Sequence, residues 1–335
     1  MTILKRVNRA AAIALLIGGA ASGRTIKLGS LAPTGSPWDD GLRRIATQWE
    51  ELSGGEVKLK IYGGGILGGE MDMIRKMRIG QLDAAGMSGV GLCRIHPVIL
   101  NIQAPLTVRT DRELAFVLDN VKSRYEKGLE KQGFKVIAWN MVGWVHFFSK
   151  EPVVKPADLR KQKLFVWAGD ADGAQAWKEL GFHPVPLAVT DLMSSLQSGM
   201  VEAFSATPLS AASQQWFALA PNMCGMRWAP LVGAIVVSTR VWNKISPELR
   251  PRLLEASRKA AAEMQEETGK ADAEAVEIMK KHNLTVNPVP ADAVAEWKGV
   301  VESGLPKLYG NSLDKKEIES IRALLRDFRT SSQSR

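Results

Sequence analysis

Histidine and cysteine are scarce in this chain, four and two among 335 residues, and their scatter argues against metal chemistry. His96, His146, His183 and His282 stand far apart, whereas a zinc site draws its nitrogen and sulfur ligands from short, characteristic spacings. No metal and no cofactor is expected. Cys93 and Cys224 both lie in apolar stretches; in an oxidising compartment they could pair, and two buried thiols fit the sequence equally well. Nucleophile and metalloprotease motifs are missing too, with no G-x-S-x-G and no H-E-x-x-H. The acidic pairs Asp39-Asp40 and Glu50-Glu51 are adjacent on a helical stretch, where neighbours do not face each other, so they read as solvated faces. The chain is expected not to be an enzyme.

Long hydrophobic runs are also absent: none approaches the roughly 20 residues that a membrane-spanning helix needs. This bears on the N-terminus. Lys5, Arg6 and Arg9 lead into the short apolar run AAAIALLIGGA, and Ala20-Ala21-Ser22 offers a small-residue cleavage site. That is the build of a secretory signal peptide over residues 1–23, and it predicts a periplasmic protein. Removing those three basic residues takes the formal charge from +9 to +6. The remaining Lys and Arg are interleaved with acids along helical stretches such as MIRKMRIGQLD, which marks solvated faces and not a nucleic-acid surface.

What is present is a repeated strand–helix rhythm. TIKLGSLAP, EVKLKIYGGG and AAGMSGVG read as strands separated by the helical patterns PWDDGLRRIATQWEELSGG and GEMDMIRKMRIGQLD. A β-α-β-α-β run of this kind predicts a parallel sheet with crossover helices. FKVIAWN, VHFFSKEPV, KLFVWAG and HPVPLA read as further strands, and residues 246–282 carry the longest helical pattern. MIRKMRIGQLDAAGMSG and LMSSLQSGMVEAFSATP share one layout: helix, glycine, acid, small residue, strand. Two α/β laps with the same wiring predict a two-lobed clamp. Residues 63–68, GGGILG, satisfy G-x-G-x-x-G between a strand and a helix. The loop follows the second strand, however, where a dinucleotide fold carries it after the first. The glycines are then expected to serve a tight turn into the helix, and a dinucleotide-dependent oxidoreductase is the minor alternative.

Four segments together resemble the solute-binding proteins of TRAP (tripartite ATP-independent periplasmic) transporters, the DctP-like family: residues 30–86, GFKVIAWNMVGW, KPADLRKQKLFVWAG and LQSGMVEAF. The resemblance covers nearly the whole mature chain. It implies the two-lobed α/β fold of periplasmic binding proteins, with a ligand cleft between the lobes and a long helix spanning both. The implied lobes are 24–141 with 231–270, and 142–230 with 271–335. The implied role is a monomeric receptor that traps a solute by lobe closure and delivers it to TRAP membrane permease subunits. A secreted lipid or small-molecule carrier, or a sensor working without a permease, is the alternative within the same fold.

One departure matters for the ligand. The family has arginine in its G-[F/W]-R and DLKGLKIR segments, and here Val145 and Phe165 stand in those places. The second arginine forms the bidentate carboxylate clamp that a guanidinium suits. The resemblance therefore implies a branch without the usual carboxylate-binding arginines, and an apolar or amphipathic ligand before a simple carboxylate. Phe165 and Trp167 alternate onto one face of a strand. With Trp38, Met87, Trp144, Val145, Phe204 and Trp216 they form the expected wall, and Ser88 and Thr207 the expected polar anchors, with Ser205 beside them. Asp170 and Asp172 leave a cationic ligand open. His146, next to Val145, is expected to face away and be structural.

Overall fold

The parallel lap expected at the start of the chain is formed. In the computed structural model, which describes residues 23–333, β1 (Arg24–Ser30) pairs in parallel with both β2 (Val57–Tyr62) and β3 (Ala84–Ser88). Helices α1 (Pro37–Leu52) and α2 (Glu70–Arg78) make the crossovers. The expected leader, apart from Gly23, lies outside the described residues. Ser36 starts α1 by accepting the Asp39 amide, with Pro37 pre-set for the first turn. Gly54 and Gly55 beyond the helix take positive φ. Asp39 corrects the reading of the acidic pairs: it is buried, accepts from the Gly35 amide and pairs with Arg43.

The chain continues through α3 (Gly89–Cys93), α4 (Asp111–Lys131) and β4 (Phe134–Ser149). Helix α4 is not among the elements read from the sequence, although Leu114, Val117, Val121, Tyr125 and Leu129 bury one stripe at helical spacing. Strand β4 merges the two expected strands into one of 16 residues. Next come α5 (Pro156–Leu159), β5 (Lys163–Trp167), α6 (Ala171–Glu179), β6 (His183–Leu187), α7 (Leu192–Ser198), β7 (Ala203–Ala206) and α8 (Pro208–Ser213). The remainder is β8 (Asn222–Cys224), β9 (Ala229–Ser238), α9 (Thr239–Trp242), α10 (Leu249–Lys281), β10 (Thr285–Asn287), α11 (Ala291–Leu308) and α12 (Lys315–Gln333).

The strand order β2-β1-β3-β9-β4-β7-β5-β6 shows that β4 belongs to two sheets. Residues 134–145 pair antiparallel with β9, whereas 146–149 pair with β7, and Phe148 and Ser149 also with β8. The first section joins the β1–β3 lap and the second joins β5–β7, giving the two-lobed α/β architecture. Each section has apolar packing on both faces, as a sheet covered by helices requires. Helix α12 packs through Ile321 and Leu325 into the cluster that holds α4.

Helix α10, matching the predicted 246–282 pattern, spans both sections. Toward its start Trp49 of α1 is fully buried and donates through Nε1 to the Leu253 carbonyl and Ser257 Oγ. Arg44 of α1 grips Glu267 with two hydrogen bonds, at 2.7 and 2.6 Å. Toward its end Met279 is buried with Phe148 and Phe204 of the second section. The 63–68 loop is a turn, with Gly64, Gly65 and Gly68 at positive φ. Its amides are engaged inside the chain: Gly64 donates to Ala32 O, Gly65 to Ser30 O and Gly68 to Gly65 O. They are not free to hold a pyrophosphate, the arrangement that a dinucleotide loop relies on. Cys93 and Cys224 are both free.

Trp49→Ala removes the largest fully buried side chain between α1 and α10. It is expected to lower stability by about 3–5 kcal/mol, read as a lower urea midpoint of the purified protein.

Candidate functional site

The two sheet sections meet where β4 changes partner. Register shifts between Val136 and Ala138 and between Met141 and Gly143 show two bulges, devices that bend a strand and raise its twist. Gly143 sits at φ +143°, and a side chain there would meet Asp272 Oδ2 at 2.6 Å and Thr207 Cγ2 at 2.8 Å. Glycine is thus required both by conformation and by the close approach of α10. Asp272 accepts from the Leu209 amide at 2.8 Å, fixing α10 to the start of α8. Burial pushes its carboxyl up to about 6, against the lowering effect of the Leu209 and Trp144 amides.

Beside this junction lies a cavity of about 500 Å³. Strand β4 contributes Met141, Gly143, Trp144 and His146, and α10 contributes the stretch from Ala262 to Val276. Asp111, Pro208, Met223 and Arg227 complete the lining. Trp144 is held at both ends: its Nε1 donates to Asp111 Oδ1 at 2.8 Å, and the Arg227 guanidinium lies over its ring, 4.9 Å from the centroid. His146 corrects an expectation. It shares a face with Trp144, two residues away, and lines the same cavity. Its Nδ1 lies 2.9 Å from the Cys224 carbonyl, and burial lowers its pKa. Arg227, Asp111, Asp272 and His146 were not among the expected site residues. For His146 the signal was present, since residues 144 and 146 of a strand share a side; for Arg227, in the connector from β8 to β9, none was.

Of the ten expected site residues, Trp144 alone lines this cavity, and Thr207 adjoins it through Gly143 and Pro208. Thr207 is buried and caps α8 by accepting from the Ser210 amide. Six of the rest are distributed over the four apolar clusters, and Ser88 and Trp167 lie outside them. Phe165, 3 % exposed, and Phe204 are buried together with Phe148, with Trp216 against Phe204. Trp167 is 37 % exposed, its ring 6.3 Å from Phe165, so this strand face runs from core to surface. Met87 is buried in the cluster that also holds Trp144. Val145 is half-buried against the cluster of Phe147 and Trp228. Trp38 is buried against α1 and α10 neighbours, and its Nε1 has no hydrogen-bond partner among the described residues, a rare state for a buried donor.

The remaining polar candidates are engaged. Ser88 donates through both its amide and its hydroxyl to Glu70, and burial raises the Glu70 carboxyl to about 7. Asp170 caps α6 through the Gly173 amide, and Asp172 accepts from Ser312. Ser205 is half-buried on β7. Across the two sections, Arg94 beyond α3 donates to the Gly169 carbonyl at the end of β5.

Two α/β sections that share a strand and are bridged by one long helix are the build of a two-lobed binding protein. The family model described as "Bacterial extracellular solute-binding protein, family 7" (DctP) matches residues 28–311, and the chain belongs to that family. It is 25% identical over 296 residues to "Uncharacterized protein YiiZ" of Salmonella typhimurium, covering 86% of this chain and 90% of that protein. Its fold is similar to that of a TRAP periplasmic solute binding protein from Sulfurospirillum deleyianum with bound succinate. The TM-score is 0.80 at 21% identity, covering 90% of this chain and 98% of that one. A TRAP periplasmic solute binding protein from Desulfovibrio salexigens with bound orotic acid gives 0.82 at 18%, over 90% and 97%.

Asp272 generates a pH prediction. Between its ordinary value of 3.8 and its raised value of about 6, the folded chain keeps the proton that the unfolded chain has released. The folded state binds more protons there, so stability falls as pH rises through that window. Asp272→Asn is expected to flatten this part of the profile, checked by thermal melts of both proteins from pH 4 to 8.

Proposed function

We propose that the chain is the periplasmic solute receptor of a TRAP-type importer, which traps an amphipathic small molecule by lobe closure and delivers it to the membrane permease. The observation that carries this reading is the junction. A strand shared by two sections, a helix crossing both and a cavity between them are what hinge closure needs. The ligand binds the closed arrangement better than the open one and shifts the population by that difference. The lobes are assigned as 24–141 with 231–270, and 142–230 with 271–335; the contact of α12 with α4 then reaches across to the first lobe. Arg94 to Gly169 is a contact between lobes in this assignment.

The character of the ligand follows from what stands at the expected arginine positions. Val145 and Phe165 both pack in apolar clusters, and a carboxylate set against them unpaired would lose several kcal/mol. The related folds hold succinate and orotic acid, which supports an acidic head group. An apolar body joined to one polar head reconciles the two observations.

The test is native mass spectrometry of the protein purified from its own periplasm, followed by denaturation and identification of the released solute. A lipid-like or aromatic compound with one polar head is expected, on a monomeric protein whose first residue is Arg24. A sugar acid or small dicarboxylate would overturn the assignment of the ligand, and a cytoplasmic protein with no solute would overturn the receptor.

A further inference from the structure

We infer that Arg227 is the anchor for a single anionic head group in the cavity beside β4, making this a site for an amphipathic monoacid. The inference deepens the receptor reading and rests on it. Arg227 is 47 % exposed and lines the cavity, and its guanidinium lies over the Trp144 ring, 4.9 Å from the centroid. A guanidinium meets a carboxylate through its planar fork with two parallel hydrogen bonds. Among the described residues Arg227 donates no hydrogen bond. Its one ion pair within 4 Å is with Asp111, 3.9 Å away and 59 % exposed, and a pair at that separation between half-exposed groups holds weakly; the Asp272 carboxyl, farther off, also feels its charge. Asp111 is occupied with Trp144 Nε1, so a ligand acid can take the fork without leaving Asp111 bare.

The other walls set the remaining chemistry. Met141, Met223, Pro208 and Val276 are apolar and suit a hydrocarbon or aromatic body. Glu266 and Asp272 on the α10 wall line the same space, and a second anionic group on the ligand would meet them as like charges. One acid is accepted and two are disfavoured. The guanidinium thus enters the site from the connector between β8 and β9, while the two strand positions expected to hold arginine stay apolar.

The test is isothermal titration of the mature protein, stripped of solute by reversible denaturation, with benzoate and octanoate, their neutral amides, and succinate. The wild type is expected to bind at least one monoacid about 10-fold or more tightly than its amide, and tighter than succinate. Arg227→Gln should weaken the acid by about 10- to 100-fold and leave the amide unchanged. Asp111→Asn keeps an acceptor for Trp144, frees the fork, and should bind the acid several-fold tighter. The inference is overturned if neither acid binds at millimolar concentration, if acid and amide bind alike, or if Arg227→Gln keeps the preference for the acid. The receptor reading stands or falls separately, on whether protein from the periplasm carries a solute at all.

Discussion

The structure depends on satisfying the backbone of one strand. Buried amides and carbonyls must find partners, and β4 does this by leaving β9 and taking up β7 within its own length. The change of partner needs the bulge at Met141 to Gly143 and a residue without a side chain at its centre. Helix α10 can then come close enough for Asp272 to reach the Leu209 amide. Two sheets, the long helix and the start of α8 are therefore tied at one place. A rigid crossing of this kind holds the two lobes together while leaving the ends of their strands to form a site.

The same crossing explains the electrostatics beside it. Carboxyls drawn toward the junction are partly desolvated, and Asp272 is shifted upward as a result. Glu70, buried under Ser88 at the end of β3, behaves alike. Buried acids with raised pKa values cluster where function needs a tuned environment. Arg227 sets a cation beside Asp272, lying over the Trp144 ring and only loosely shared with Asp111. The lining of the cavity is therefore mixed in sign.

Much of this was legible in order along the chain. The strand–helix laps, the capped α1, the long helix and the glycine turn follow from periodicity and from residues with special backbone freedom, because these are local properties. The resemblance of residues 30–86 and of the KLFVW strand gave the fold before any contact was known. Helix α4 carries its stripe of Leu114, Val117 and Val121 as plainly as the other helices do, so the signal for it lies in the sequence. The joining of two strands into β4 was harder, since a bulge at a glycine reads as a break.

The sequence by itself determined that the chain is an α/β clamp of a known solute-binding build. That conclusion rests on local spacing and on motif identity. Only the tertiary structure decided which side chains meet. Phe165 and Phe204, alternating correctly for a wall, are packed together in a cluster, while Arg227, Asp111 and Asp272, separated by up to 161 residues in the numbering, come to one cavity. No pattern in the sequence marks such a meeting, because it is made by the crossing of β4 and α10 and not by any stretch of chain.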